Sequence, residues 1–518
     1  RQAKRGKERI ASCMQVQLLC QHKKSSTGAY FRRPHKCRCI PSIAQRQTTM
    51  FRNTIHRISN IVTHSRSFSS STATTAPAAV VSAVGGSDRV VVLGSGWAGF
   101  QIALNADKNL PLTVVSPNNH FVFTPLLAST AVGTLEFRCI QEPIRTVLGP
   151  KGQFIQAKAR SLDPDNKKIV CQSVHNDTFD LEYDKLVIAV GVQTNTFGIP
   201  SIKEGEDIFF LKQLNHARGI RNNIIDSFEK AAVPTVSDAE RRRLLSFVVV
   251  GGGPTSCEFV SELHDFIKHD VSRLYKDLLP YVKITLVEAG PVLLGPFDAA
   301  LQKYAHGLFK KRDIDVRLGI AVTGVKEIQV EGFHFPNRHA MLSDGTSLEF
   351  GTMVWSAGLA PRNFTRSLDG ILPKHPRNGR ILVDPYLRVK GYEGSIWACG
   401  DAAVNEQGVV LPQLAQVARQ QGIYLAKVLN GKQREDEKEF HFFSLGSMAY
   451  VGDLKGIYDG TTVGEPGKEI KHPRITGLLA LLMWRFAYWG RQTSMVNKML
   501  IPMHWFKSFL FGRDISRF

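Results

Sequence analysis

An α/β fold made of two parallel-sheet units, the second inserted into the first, is what the sequence predicts, and three observations predict it. Val90, Val91, Val92 and Leu93 form an unbroken apolar run, the pattern of a strand covered on both faces, and glycines follow at once. A second such run at 247–250 meets a second glycine-rich loop, Gly251 following Gly94 by 157 residues. Two further apolar runs, 185–191 and 353–358, end in glycine where the chain can leave one unit for the other. At 518 residues, 43% hydrophobic and 21% charged, the chain is globular and too long for one ordinary core.

The net charge of +21 is unevenly placed. Fifteen Lys or Arg against one acid, Glu8, fall in residues 1–87, so fourteen of the twenty-one charges sit there. The remaining seven are spread through mixed sequence, which fits a surface near anionic lipid better than a nucleic-acid stripe. Residues 51–87 contain Arg52, Arg57 and Arg66, many Ser and Thr and no acid, the composition of a mitochondrial or plastid transit peptide, mitochondrion favoured. Residues 1–87 are expected to be a disordered leader, with Met50 a natural start and 1–49 either untranslated or additional leader. Eight cysteines are scattered without a CxxC pair or metal-ligand spacing, so neither a disulfide scaffold nor a metal site is expected. The Arg-rich segment 231–243 reads as a solvated loop, and Asp163-Pro-Asp165-Asn166 as a turn.

The motifs carry the chemistry. Gly94-Ser95-Gly96-Trp97-Ala98-Gly99 is GxGxxG between a strand and a helix expected at 100–106. Its glycines allow a tight turn, backbone approach to a pyrophosphate, and close helix–strand packing. The next strand ends at Ser116 instead of the usual ribose-binding acid, so a ribose contact there must be made differently. Gly251-Gly252-Gly253-Pro254-Thr255-Ser256 repeats the pattern with Ser in place of the third glycine. The strand at 283–287 ends in Glu288, a carboxylate that accepts ribose hydroxyls and repels a 2′-phosphate, which favours NADH over NADPH. Glu288 follows Gly253 by 35 residues, which a lengthened helix through 259–275 explains. A strand at 394–401 ends in Gly400-Asp401, where an Asp can bond a flavin's ribityl chain. In order, GxGxxG, Ala189-Val190-Gly191, the GGGPxS loop with Glu288, Ser356-Ala357-Gly358 and Gly400-Asp401 describe an FAD domain interrupted by an NAD domain, both Rossmann-like.

After Arg474 the chain changes character. Leu478, Leu479, Leu481, Leu482, Met483, Trp484, Phe486, Tyr488 and Trp489 are interrupted by Arg485, and Trp505, Phe506, Phe509, Leu510 and Phe511 are interleaved with Lys507. The runs are too short and too charged to cross a bilayer, which needs roughly 20 apolar residues. They suit amphipathic helices lying in a membrane interface, or a buried dimer contact.

Together these residues resemble the type II NADH dehydrogenases, the alternative NADH:quinone oxidoreductases. The likeness runs over residues 88–518 and includes Phe121-Val-Phe-Thr124-Pro125-Leu-Leu127, Glu142-Pro-Ile-Arg145, Gly251-Gly-Gly-Pro-Thr255 with Glu258, Ala415-Gln-Val-Ala-Arg-Gln420 and Phe511-Gly-Arg-Asp514. The resemblance implies hydride transfer from NADH to FAD and then two electrons to ubiquinone, without proton pumping, at the mitochondrial inner membrane. It implies that Thr124 and Pro125 lie at the flavin, that Gln416 and Gln420 line the quinone site as amide donors, and that Glu258 sits near the nicotinamide and flavin to position NADH or relay a proton. Leu414 stands where the family usually has Thr, and no calcium-binding loop interrupts the second unit. The expected organisation is an FAD-binding half at 88–210, an NADH-binding unit at 211–358, a second FAD-binding half with the quinone-site helix at 359–440, and a membrane-associated region at 441–518; homodimerisation is left open. A second class, redox-gated binding proteins resembling apoptosis-inducing factor, shares the fold but is expected to lack the glutamine helix and the apolar tail.

Overall fold

The computed structural model describes residues 88–406, 410–470 and 472–517. The leader and its transit-peptide reading lie outside the described residues. Regular structure opens with β1 (Val90–Leu93), α1 (Trp97–Asn105) and β2 (Leu112–Ser116), followed by the long β3 (Gln153–Asp163), β4 (Lys168–Ser173), β5 (Thr178–Glu182) and β6 (Lys185–Ile188). Then come β7 (Ile208–Phe210), α2 (Leu214–Ala232), β8 (Ser246–Val250), α3 (Pro254–Phe266), β9 (Lys283–Glu288), α4 (Ala299–Lys311), β10 (Asp315–Leu318) and β11 (Thr352–Trp355). The chain closes with β12 (Ile396–Ala398), α5 (Ala415–Leu429), β13 (Ser447–Tyr450), β14 (Gly456–Asp459), β15 (Arg474–Gly477), α6 (Leu478–Gly490) and α7 (Met495–Phe511).

The first sheet runs β12-β6-β1-β2-β3-β4-β5 and the second β7-β11-β8-β9-β10. Every residue of β1 and of β8 is buried, which is why both read as unbroken apolar runs. The return of β12 to the edge of the first sheet, in parallel with β6, makes the second sheet an insertion. Strand β7 pairs in parallel with β11 although it precedes residue 211, where the sequence places the start of that unit. The two passages between units, Val192–Thr194 and Leu359–Pro361, pair antiparallel as one ribbon.

Two local readings are settled by capping and turn chemistry. At the turn between β3 and β4 the Asp163 carboxylate accepts the Asn166 N–H (3.1 Å), as the Asp-Pro-Asp-Asn sequence predicts. The segment expected to be a solvated loop instead contains a short helix, Asp238–Leu244, whose N-cap Ser237 accepts the Glu240 N–H. Ser237 and Glu240 stand in a capping-box pattern that the arginine run obscured. Arg241 donates to the Ala231 carbonyl, Arg242 lies 5.3 Å from the Tyr281 ring centre, and Arg243 is fully buried. Helix α3 continues through a wider turn, Ile267–Val271, and a last turn, Ser272–Leu274, which accounts for the long spacing to Glu288.

The C-terminal strands β13, β14 and β15 form a small antiparallel sheet that carries α6 and α7. Helix α6 buries Ala480, Leu481 and Trp484 and exposes Leu478, Leu479, Leu482 and Phe486. Helix α7 exposes Met495, Val496, Met499, Met503, Phe506, Phe509, Leu510 and Phe511. No helix among the described residues is long and apolar enough to cross a membrane. The Gly512-Arg513-Asp514 stretch ties the tail to the body. Arg513 pairs with Asp270 (2.9 Å) and Glu262 (3.3 Å), on the wider turn after α3 and on α3 itself, and donates to Thr134 Oγ1 (2.8 Å).

Candidate active site

A cavity of about 1250 Å³ gathers the first set of expected residues. Gly94, Ser95, Gly96, Trp97, Ala98, Ser116, Thr124, Ala189, Gly191, Gly400 and Asp401 all line it; Gly99 and Pro125 do not. Two observations test whether FAD fits. A Cβ on Gly99 would stand 2.0 Å from the Gly94 carbonyl oxygen, so only glycine lets α1 approach β1 so closely, whereas a Cβ on Gly96 would meet nothing within 4 Å. Gly96 is the N-cap of α1 and no side chain caps its amides, so free N–H groups face open space as a diphosphate requires. At the far end Asp401 lines the cavity with a carboxylate that accepts no hydrogen bond among the described residues, and burial raises its pKa, with Lys212 and Arg380 pulling the other way. Such a group is placed to accept from a polyol hydroxyl. The residues present fit FAD. Ser116 answers the question its type posed: its hydroxyl lies 2.8 Å from that of Ser95, so a short hydroxyl pair stands where an acid is usual.

The second glycine loop is built on the same plan but lies outside that cavity. Gly253 is the uncapped N-cap of α3 with Pro254 at the first helical position, and Thr255 follows. A Cβ on Gly251 would come within 3.1 Å of the Ala357 nitrogen, so the loop and the Ser356-Ala357-Gly358 strand end converge. Ser256, the departure from the third glycine, bonds Ser356 through hydroxyls 2.6 Å apart, locking α3 to that strand end. The Glu288 carboxylate accepts the Gly252 N–H and the Gly290 N–H, so it is fixed on the loop at the end of β9.

Glu258, in the second turn of α3, is buried among the C-terminal elements. Its Oε1 accepts the Tyr450 N–H (3.1 Å) and the Trp484 Nε1–H (3.0 Å). Burial pushes its pKa up to about 8, against those two hydrogen bonds. An aromatic layer joins it to the first cavity: the Trp484 ring is 4.9 Å from Tyr488, which is 5.8 Å from Phe123, next to Thr124. Thr124 accepts the Trp97 Nε1–H (3.0 Å).

Residues 88–422 match the family model for pyridine nucleotide-disulphide oxidoreductases, and residues 444–514 match the NDH2 C-terminal domain. A probable NADH dehydrogenase of Dictyostelium discoideum is 40% identical over 83% of this chain and 91% of its own length. The chain belongs to the type II NADH dehydrogenases. An internal alternative NAD(P)H-ubiquinone oxidoreductase A1 of Solanum tuberosum, mitochondrial, is likewise 40% identical, over 83% of the chain and 88% of that relative. The structure of NDH2 from Plasmodium falciparum in complex with NADH superposes with a TM-score of 0.74 at 25% identity, covering 83% of this chain and 99% of that one.

In this type II NADH dehydrogenase the two glutamines of α5 share one helix face, as their spacing of four requires. Both amides are engaged by backbone. Gln416 donates to the Gly446 carbonyl (2.9 Å) and accepts the Leu445 N–H (3.0 Å); Gln420 donates to the Phe443 carbonyl (2.8 Å) and accepts its N–H (3.1 Å). The pair clamps residues 443–446 in place of offering free donors. Leu414, Ala415 and Ala418, on the same segment, line the cavity. Sequence reasoning missed Lys212 and Arg362, which line the cavity as half-buried cations, and Tyr488, which stands between Glu258 and Phe123. Only Tyr488 had a signal, its place within the apolar run of α6.

Proposed function

We propose that this protein is a mitochondrial, membrane-surface NADH:ubiquinone oxidoreductase that passes two electrons from NADH through bound FAD to quinone without moving protons across the bilayer. One observation carries this reading. The cavity that fits FAD is walled by Leu500 and His504 of α7, the helix whose outer side presents the apolar row from Met495 to Phe511. A redox site closed by a lipid-facing helix suits an acceptor dissolved in lipid. FAD, when bound, supplies a ring that can take a hydride, two electrons and one proton, from a nicotinamide and yield the electrons to a second acceptor.

The residues divide the work. Gly94, Ser95, Gly96 and the start of α1 hold the diphosphate, Asp401 the ribityl hydroxyls, and Thr124 and Pro125 the flavin edge. Gly251, Gly253, Pro254 and Thr255 hold the NADH diphosphate, with Glu288 at the adenosine ribose and Ala357 and Gly358 beside it. Gln416 and Gln420 shape the quinone approach by fixing residues 443–446, and Glu258 holds a proton beside the aromatic layer. The test is steady-state NADH oxidation by detergent-purified protein with and without a short-chain quinone. Strong stimulation by quinone supports the reading, and indifference refutes it.

Cofactor choice is testable separately. Glu288→Gln should raise activity with NADPH relative to NADH by about tenfold, because a carboxylate no longer repels the 2′-phosphate. An unchanged preference counts against the role of Glu288.

The exposed row on α7 fits a membrane surface. Phe506→Glu with Phe509→Glu, at positions 63% and 71% exposed, places two charges in that row without disturbing packing. The double variant should keep its flavin and lose cosedimentation with anionic vesicles; sedimentation at the wild-type level refutes the assignment. A second copy of the chain on this row would appear as a dimer in detergent-free solution.

A further inference from the structure

A second cavity, of about 360 Å³, is walled by α3, the turn after β13 and the two C-terminal helices. Its chemistry differs from that of the first. Four and seven residues along α3 from Glu258, Glu262 and Asp265 face this cavity. Tyr450 and Trp484, the two residues that hold the Glu258 carboxyl, line it as well. The Tyr450 hydroxyl donates to Asp265, and His269, exposed at the outer end, has a ring nitrogen within 4.8 Å of the Asp265 carboxylate. His269 and Asp265 therefore line a cavity that reaches solvent, and Glu258 lies directly behind the wall that Tyr450 and Trp484 form, bonded to the Tyr450 backbone N–H and the Trp484 Nε1–H.

The proposed reaction needs such a route. NADH brings two electrons and one proton as a hydride, whereas a quinol has gained two electrons and two protons. The balance NADH + quinone + H⁺ → NAD⁺ + quinol draws one proton from solvent at each turnover. We propose that the second cavity is the inlet for that proton, with His269 and Asp265 receiving it from water and Glu258 passing it toward the quinone; this rests on the quinone-reductase reading. The walls suit the task. Burial favours a protonated Asp265, but hydrogen bonds from His264, Tyr450 and the Asp453 N–H, with the Arg513 charge, outweigh it and keep the group an anion able to attract a proton. Glu258 binds its proton more tightly, so the chain of groups runs toward stronger binding. The charged groups that face the route from neighbouring elements are Arg513, Arg485 on α6 over the Trp505 ring, Arg273, Asp453, and Asp270, which pairs with Arg513 and Arg273. Asp265, His269 and Asp453 could also be read as a metal-ion cluster, but Asp453 is already paired with Lys268 (2.7 Å) and Arg312 (3.0 Å).

The test uses the full-length, FAD-loaded protein in anaerobic stopped flow, with flavin bleaching by NADH and reoxidation by short-chain ubiquinone followed separately. Asp265→Asn should leave bleaching within about twofold of wild type and slow reoxidation at least about tenfold, the lower end of what a positioned proton donor contributes. Millimolar azide or formate should restore the rate, and Asp265→Glu should retain it, which no packing defect would do. His269→Ala, at an exposed position that cannot cost the fold, should slow reoxidation in the same direction and enlarge its solvent deuterium isotope effect. Reoxidation at the wild-type rate in both variants overturns the inlet, as does a slow Asp265→Asn that neither small acid restores. A wild-type flavin that quinone does not reoxidise overturns the quinone-reductase reading instead.

Discussion

Glu258→Gln should cut quinone-dependent turnover by about a hundredfold while NADH still bleaches the flavin, the size expected when a positioned proton donor is removed. The carboxyl is buried, held by Tyr450 and Trp484 and raised to about 8, so at pH 7 it carries a proton that its solvent-exposed counterpart would have released. Two pH signatures follow. Quinone reduction by the wild type should fall as pH rises through about 8, where the donor ionises, and the variant's residual rate should show no such step. Stability should respond too. The unfolded chain loses this proton near the ordinary value of 4.5 and the folded chain near 8, so between those limits the group's contribution declines with rising pH. The slope is about 1.4 kcal/mol per pH unit. Glu258→Gln keeps the shape and removes the charge, so its melting temperature relative to wild type should climb from pH 5 to pH 8. A constant difference across that range, with turnover intact, would show that Glu258 is neither buried as a proton store nor used as one.

Gly99→Ala should yield a colourless, less stable protein with at least tenfold less FAD per chain. The added Cβ would stand 2.0 Å from the Gly94 oxygen, and the backbone of the loop must move to relieve it. Gly96→Ala is the informative partner. Its Cβ meets no protein atom within 4 Å and its φ of −76° suits alanine, so the apoprotein should fold and melt as wild type does. The new methyl nevertheless occupies space that a diphosphate needs, and FAD affinity should drop about tenfold or more. Paired spectra and melting curves check both: normal flavin content in Gly96→Ala would place the diphosphate elsewhere.

The elements most plainly written in the sequence are those where one local rule decides. Strands β1 and β8 are buried on both faces and so read as apolar runs; the first glycine loop is forced by the approach of helix to strand, and the second by the approach of Ala357 and Glu288. The helix Asp238–Leu244 was hidden because three consecutive arginines look solvated, whereas Arg241 donates to the Ala231 carbonyl, Arg242 lies over the Tyr281 ring and Arg243 is buried. The glutamines illustrate the harder limit. Their spacing reveals a shared face, but only the fold brings residues 443–446 against that face and occupies the amides. Glu258 likewise depends on residues 192 and 226 positions away: nothing near it in sequence announces Tyr450 or Trp484. Lys212 and Arg362 carry no local pattern at all, since a single cation becomes a cavity wall only through topology.

The most direct test is an anaerobic titration of the purified yellow protein at 450 nm. Stoichiometric NADH should bleach the flavin absorbance, and a ubiquinone analogue added next should restore it, one quinone per NADH. A protein without flavin colour, or a reduced flavin that quinone leaves bleached, would contradict electron transfer from NADH to quinone through this site.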